Sequence, residues 1–493
     1  MMLENNEQEM HPEESKEKAP TLFSVQLPKT VSFFLWFLFA GNMLYLVTSF
    51  NTLPNWNGAI LRFNGFSLLI WTTVTFFGGL IGSYASSYLK GFRYHSRFMM
   101  LSLGFTTSVM LFVVSEHIVL MLFSWLSMGI FMSRLIGVES DWGEAQEASR
   151  FTQRYFLLGT LFLSAALCLL ALYSNEMTLS GLINALHLIP FYIKLIAGLL
   201  VIAAALVQSA IYPFHRWLLS AMTAPTPASA LMHAGFVNGS GILLTLFAAL
   251  LFASNTLNIL FVIGGLTAII AQFNKLLQVN VKQKLACSTI AQMGFMIMQC
   301  GLGFFTAAVT HLILHGFYKA YLFLSSGEAI AHSRPQKPPQ IKIGTLQAMI
   351  VLIFGVLGAF LFAIWTGKGT QLDSGIFLTL IVAITVGQAT YNIGKEKSLS
   401  VLQKIVVPPL LFIAGIGTYA LMYNGVSIVM TDIPMAAVPM PISMVQMAFG
   451  IVFLAGFFIM KLGVYRKIPW LYVKLMNLSQ PYKKSILMYK SNS

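Results

Sequence analysis

Six side chains in the middle of this chain can take up and release protons: His215, His233, His311, His315, Lys319 and Glu328. Three of them, His311, His315 and Lys319, recur at every fourth position in HLILHGFYKAYLFLSSGEAIAH. On a helix they fall within about 80° of one another and rise over roughly 12 Å. A stripe of titratable groups on one face suits a proton relay. Each group can pass a proton to the next through a bridging water, and its pKa can shift with its neighbours. Glu328 continues the stretch toward its end. His215 and His233 belong to a second polar cluster, IYPFHRWLLSAMTAPTPASALMHAGFVNGSGILL, between Ile211 and Leu244. There Pro213, Pro225 and Pro227 each remove a backbone donor and interrupt a helix.

The same residues admit other readings. The second cluster could be a loop between two ordinary spans. His311 and His315 have zinc-site spacing, yet HxxxH lacks the Glu of HExxH, and no Cys or acidic ligand is near in sequence, so no metal is assigned. Haem held between His233 and either His311 or His315 stays open on sequence alone. Cys168, Cys287 and Cys300 form no CxxC pair, and no Gly-rich nucleotide loop is present. Neither an iron–sulfur site, a disulfide framework nor a nucleotide site is indicated, and no cofactor is assigned.

The elements that position these groups are membrane spans. Of 493 residues, 57% are hydrophobic and 9% charged, whereas a soluble domain carries about a quarter charged residues. Apolar stretches of about 20 residues predict an all-α polytopic membrane protein with about fourteen transmembrane helices. They lie near 30–50, 67–88, 98–115, 117–137, 154–173, 191–211, 227–251, 258–274, 285–302, 306–332, 346–365, 375–391, 405–424 and 442–460. If the Lys90–Arg97 loop is cytoplasmic, nearly all Lys and Arg fall on that side, with both termini. Arg62, Lys194 and Lys368 lie on or near the other side, and Lys319 lies within a span. The net charge of +14 then reflects topology and gives no case for nucleic acid. The core of 30–332 is flanked by an acidic tail of 1–29, read as disordered and cytoplasmic rather than as a signal peptide. Helices over 333–460 and a basic tail over 461–493 follow. Trp470-Leu471-Tyr472, Leu475 and Leu478 form either an interfacial helix starting at Pro469 or a solvated basic tail held near anionic lipid.

QSAIYPFHRWLLSAMTAPTPASALMHAGFVNGSGILL, VKQKLACSTIAQMGFM (281–296), HLILHGFYKAYLFL (311–324) and FNGFSLLIWTTVTFFGGLIGSYASSYL (63–89) resemble the proton-conducting subunits of respiratory complex I and of multisubunit cation/proton antiporters. The resemblance runs from about Phe63 to Ile330. It implies a fold in which two discontinuous helices flank a hydrated polar axis at mid-membrane. Departures accompany it. The family's Lys, one turn before the Pro of the first broken helix, is Gln208 here. The family's Glu after a Trp is Leu126, following Trp125. The Glu–Lys pair thought to gate proton input is therefore absent as such, and Glu116 and Lys194 stand displaced from those positions. Asn280 replaces an acidic residue, and no exit Lys of the second broken helix is identifiable. The chain is also short for the long lateral helix of the complex I subunit.

The ending WLYVKLMNLSQP (470–481) resembles the DabB branch, membrane subunits of two-part inorganic-carbon accumulation systems. That resemblance implies a DabA-like partner with a zinc carbonic-anhydrase-type site. This chain would supply proton- or cation-coupled energy for CO2 or bicarbonate uptake, as a transporter subunit and not an enzyme. A subunit of a cation/proton antiporter or of a complex I-like NADH dehydrogenase is the alternative, and a redox protein binding haem or quinone is a third.

Overall fold

The computed structural model describes residues 22–50, 52–326, 345–395, 400–461 and 463–486. Glu328 and the acidic tail up to residue 21 lie outside the described residues. The chain folds as helices α1 (Leu22–Thr48), α2 (Gly65–Tyr88), α3 (His95–Val114), α4 (Ile118–Ile136), α5 (Gly143–Ser174), α6 (Leu179–Asn184) and α7 (Phe191–Gln208). The polar centre follows as α8 (Arg216–Ser220), α9 (Thr226–Ala234), α10 (Gly239–Leu246), α11 (Ala248–Ala253), α12 (Leu257–Leu277), α13 (Val281–Gly301) and α14 (Phe305–Leu324). The rest is α15 (Thr345–Thr366), α16 (Gly375–Lys395), α17 (Val401–Val429), α18 (Met444–Lys461) and α19 (Pro469–Leu478). A small antiparallel hairpin, β1 (Asn55–Asn57) with β2 (Arg62–Asn64), closes one end.

Ten helices among the described residues are long and apolar enough to cross a membrane, against about fourteen expected. Gly375–Tyr391 and Met444–Phe453 are shorter apolar stretches. α13 and α14 are of spanning length, but they carry the Lys, His and Gln side chains that lower mean hydropathy. Two helix starts move furthest. α1 starts at Leu22 instead of residue 30, and α5 starts at Gly143 instead of 154, with Glu144, Glu147, Arg150 and Arg154 on its leading turns. The abrupt 115–117 turn is as expected: α3 ends at Val114 and α4 begins at Ile118.

Lipid tails are as apolar as the helices, so association in a membrane rests on close packing, and small residues allow it. Two contacts matter for the site. α12 and α13 touch backbone to backbone at Gly264 and Gly294, where a Cβ on Gly264 would lie 2.6 Å from the Gly294 carbonyl oxygen. α14 is seated by Gly316, where a Cβ would lie 2.7 Å from the Phe77 ring of α2 and 3.1 Å from the Ala234 carbonyl of α9. One large core joins residues from α1 to α14, and a second, centred on Phe261, Met298 and Phe304, ties α12–α14 to α15–α18.

Candidate functional site: a buried histidine–lysine axis

The first discontinuity follows α7. The helix ends at Gln208, Ala210 takes a left-handed backbone (φ 54°), and α8 resumes at Arg216 beyond Pro213. Pro213 thus stands in a genuine break. Pro225 and Pro227 do not: Pro225 precedes α9 and Pro227 occupies its first turn, where a missing N–H costs nothing. The interruption of the following span lies instead at Gly235–Asn238, between α9 and α10. Its freed carbonyls are met by side chains. Gln208 Nε2 donates to the Phe236 carbonyl (3.2 Å), Asn238 Nδ2 to the Ala234 carbonyl (2.7 Å), and the Ser209 hydroxyl to the Val237 carbonyl.

Gln208 is therefore a structural donor to the broken helix. Gln208→Leu should strand the Phe236 carbonyl in an apolar interior and cost about 1–3 kcal/mol. The expected result is a lower thermal midpoint in detergent, and an unchanged midpoint would contradict the role. Gln208 and Met128 of α4 both lie against Gly239, and Leu126, two residues before Met128, is half-buried.

α13 starts on Asn280, whose side-chain oxygen accepts from the backbone N–H groups of Lys282 (2.9 Å) and Gln283 (3.3 Å). Asn caps a helix about as well as Asp, so this departure preserves local structure. Lys282 Nζ donates to the Ala224 carbonyl (2.9 Å) and Gln283 Nε2 to the Leu219 carbonyl (3.0 Å), fixing the turn that leads into α9.

On that frame α9 and α14 bring together His233, His315 and Lys319, all buried. The His233 imidazole stacks on Phe323 (4.3 Å, 15°). Lys319 Nζ donates to the Leu285 carbonyl of α13 (3.1 Å), which also accepts from the Thr289 hydroxyl (3.1 Å). Among the described residues no carboxylate pairs with Lys319. The Nδ1 and Nε2 atoms of both His233 and His315 are buried without a protein partner. His311 lies 6.1 Å from His315, centroid to centroid, and faces a cavity of about 810 Å3 that His315, Lys275, Gln299 and Tyr419 also line. Four imidazole nitrogens at this depth need hydrogen bonds, and water is the group able to supply them. Imidazoles, an ammonium and bridging water can exchange protons along the axis.

Not all the expected residues join. His215 is directed elsewhere: its Nε2 donates to the Leu478 carbonyl at the end of α19 (2.7 Å), and its ring lies on Tyr212 (3.8 Å). Glu116 sits in the turn before α4, accepts from the Ser180 backbone N–H (2.8 Å) and faces Arg62 (3.7 Å). It braces the hairpin end and takes no part in the axis. No three His, Cys, Asp or Glu side chains gather as a metal site among the described residues. Asn274, which donates to the Tyr212 hydroxyl, and the cavity residues Lys275 and Gln299 were not singled out from sequence. Their signal was amides and a Lys inside or at the end of apolar stretches.

α19 does begin at Pro469. Leu475 packs on Phe273 and Tyr465, and the Tyr482 backbone N–H donates to the Ser220 hydroxyl (2.8 Å). Burial lowers the His215 pKa from 6.5 to about 4, opposed by the Leu478 carbonyl. The docked state keeps the ring neutral, while the undocked ring protonates near its ordinary value. Docking should hold above pH 6.5 and weaken as pH falls from 6.5 toward about 4. Hydrogen exchange over 469–486 should quicken across that window, and His215→Gln should flatten the dependence. A wild-type exchange rate independent of pH after intrinsic correction would refute it.

A family model described as NADH:quinone oxidoreductase/Mrp antiporter, transmembrane, matches residues 115–388. A probable inorganic carbon transporter subunit DabB of Bacillus anthracis is 34% identical over 61% of this chain and 60% of its own length. NADH-quinone oxidoreductase subunit L of Escherichia coli (strain K12) is 32% identical over 60% of this chain and 49% of its length. The chain thus matches about half to three-fifths of these relatives. In structure it resembles a chain of the Mrp complex from Dietzia sp. DQ12-45-1b, with TM-score 0.64, 20% identity, and coverage of 92% of this chain and 57% of that one. That likeness concerns the antiporter-like fold.

Proposed function

The chain belongs to the NADH:quinone oxidoreductase/Mrp antiporter transmembrane family, and on that premise we propose that it is the membrane subunit of an inorganic carbon pump. It conducts protons through the His233–Lys319–His315–His311 axis to drive a DabA-like partner. The observation that carries proton conduction is the pair of buried imidazoles without protein partners beside an ammonium with no counter-ion among the described residues. Ionisable groups at such depth are costly and are retained for transport or pairing, and pairing is lacking among the described residues. The DabB relative supports inorganic carbon as the cargo. Both termini face the cytoplasm in this reading, following the distribution of Lys and Arg.

Lys319 is the group that holds and releases the transported proton, and the imidazoles connect it to the cavity. Gln208 and Leu126 cannot alternate charge, so protons enter by a route other than a Glu–Lys pair at those positions. The test is affinity purification of the tagged chain, followed by growth in ambient air. A co-purifying zinc-containing subunit, with growth at air levels of CO2 lost on deleting either gene, is expected. The subunit L relative, almost as similar over the same share of the chain, keeps a second reading in play. Co-purification of several small antiporter subunits or of redox subunits would replace the carbon pump with a cation/proton antiporter or complex I-like assembly.

A further inference from the structure

α14 runs from Phe305, beside Lys368 and the Ala436–Ala437 stretch that follows α17, to Leu324 at the other end. Lys319 hangs from Leu285 in the half of the membrane nearer that other end, whereas His311 is about 9 Å along the helix from Phe305. Beyond His311 no titratable residue continues on α14 itself. Polar groups reappear across the cavity, on other helices. Gln299, in the last turn of α13, is 2% exposed, and its Oε1 has no hydrogen-bond partner in the protein. The Tyr419 side chain of α17 faces it across one cavity. Both residues line the cavity that His311 and His315 line, and its volume has room for on the order of ten or more waters.

From Tyr419 the rings continue outward. Tyr423 stacks on Tyr419 (6.3 Å, 8°), and Lys368 lies 5.3 Å from the Tyr423 centroid and 4.3 Å from that of Phe304. α17 is continuous through Pro408 and Pro409, so the second broken helix implied by resemblance is absent from these described residues. No Lys of α17 lines the cavity.

We propose that Tyr419 is the exit group of the proton axis, positioned by Gln299, and that it connects His311 through cavity water to the surface at Lys368. A phenol suits this place. One proton arrives on a lone pair of the hydroxyl oxygen as the hydroxyl's own proton leaves to water on the Lys368 side. Tyr419 starts and ends neutral, and no counter-charge is needed. Gln299 transfers no proton; its amide fixes the direction of the hydroxyl.

This assignment rests on the proton-conducting reading, and the test separates the two. The chain with its co-purified partner is reconstituted in liposomes containing a pH-sensitive dye, and proton entry is driven by a potassium diffusion potential. Tyr419→Phe keeps the ring and its stacking, so expression and thermal midpoint should be unchanged while flux falls about tenfold or more. Gln299→Leu should lower flux severalfold in the presence of Tyr419 and add nothing in the Tyr419→Phe background, a coupling that loss of packing alone would not produce. Full flux through Tyr419→Phe, with Lys319→Ala inactive, overturns the exit assignment and leaves the proposed function standing. Absence of flux in the wild type overturns both.

Discussion

Lys319→Ala should abolish inorganic carbon uptake while leaving the protein expressed, inserted and bound to its partner. An isolated ammonium in a span opposes insertion by about 2.5–3.5 kcal/mol on biological scales. The one hydrogen bond that Lys319 makes among the described residues, to the Leu285 carbonyl, is worth less than that. Removing the side chain should therefore leave stability equal or higher. Activity should move the other way, because beyond His315 the one amine or imidazole on α14 is Lys319. Loss of a proton-transferring group costs on the order of 100-fold or more, enough to prevent growth in ambient air. Growth is the first assay, with the thermal midpoint measured on the same preparation. Undiminished growth, or a collapse in stability that accounts for lost growth, would remove Lys319 from the transport step.

His233→Gln, His311→Gln and His315→Gln should each lower transport by about tenfold or more, with little change in assembly. Gln can both donate and accept a hydrogen bond, so it can replace imidazole as a partner for water; it cannot bind a proton at these pH values. For His233 and His315 the substitution asks little of the fold, since neither ring bonds to a protein group. The stack of His233 on Phe323 contributes packing that an amide partly retains. His233 and His315 converge on Lys319 from different helices. Their double variant should be less damaging than the product of the two single effects, as expected of groups acting in one path. Full transport at all three sites would make the histidines structural, and the relay would fail.

The histidine–lysine stripe was legible because it is local. Four-residue spacing on a helix needs no tertiary knowledge, and α14 carries His311, His315 and Lys319 as that spacing requires. The apolar stretches were likewise readable as helices from their length. What could not be read depends on contacts between distant residues. His215 looked like a member of the polar cluster, but its partner, Leu478, lies 263 positions away. Tyr419 is about a hundred residues beyond His311, and only the folding of α17 beside α13 and α14 puts both on one cavity. The prolines misled in a different way. Pro225 and Pro227 were read as breaks, yet a proline in the first turn of a helix begins it, and the interruption at Gly235–Asn238 contains no proline. Gln208 and Asn280 were legible as departures from the family pattern. Their use, as a donor to Phe236 and as a helix cap, emerged from the backbone they serve.

The central claim is that this chain carries protons through the axis at Lys319 and that this movement drives carbon uptake. The most direct measurement records internal pH and accumulation of labelled bicarbonate together, in cells expressing the chain with its partner, before and after a protonophore. Wild-type cells should accumulate label with a matching proton influx, and collapse of the gradient should stop both. Cells carrying Lys319→Ala should show neither despite equal amounts of assembled complex. Accumulation that persists without a proton gradient, or proceeds unchanged with Lys319→Ala, would contradict the account.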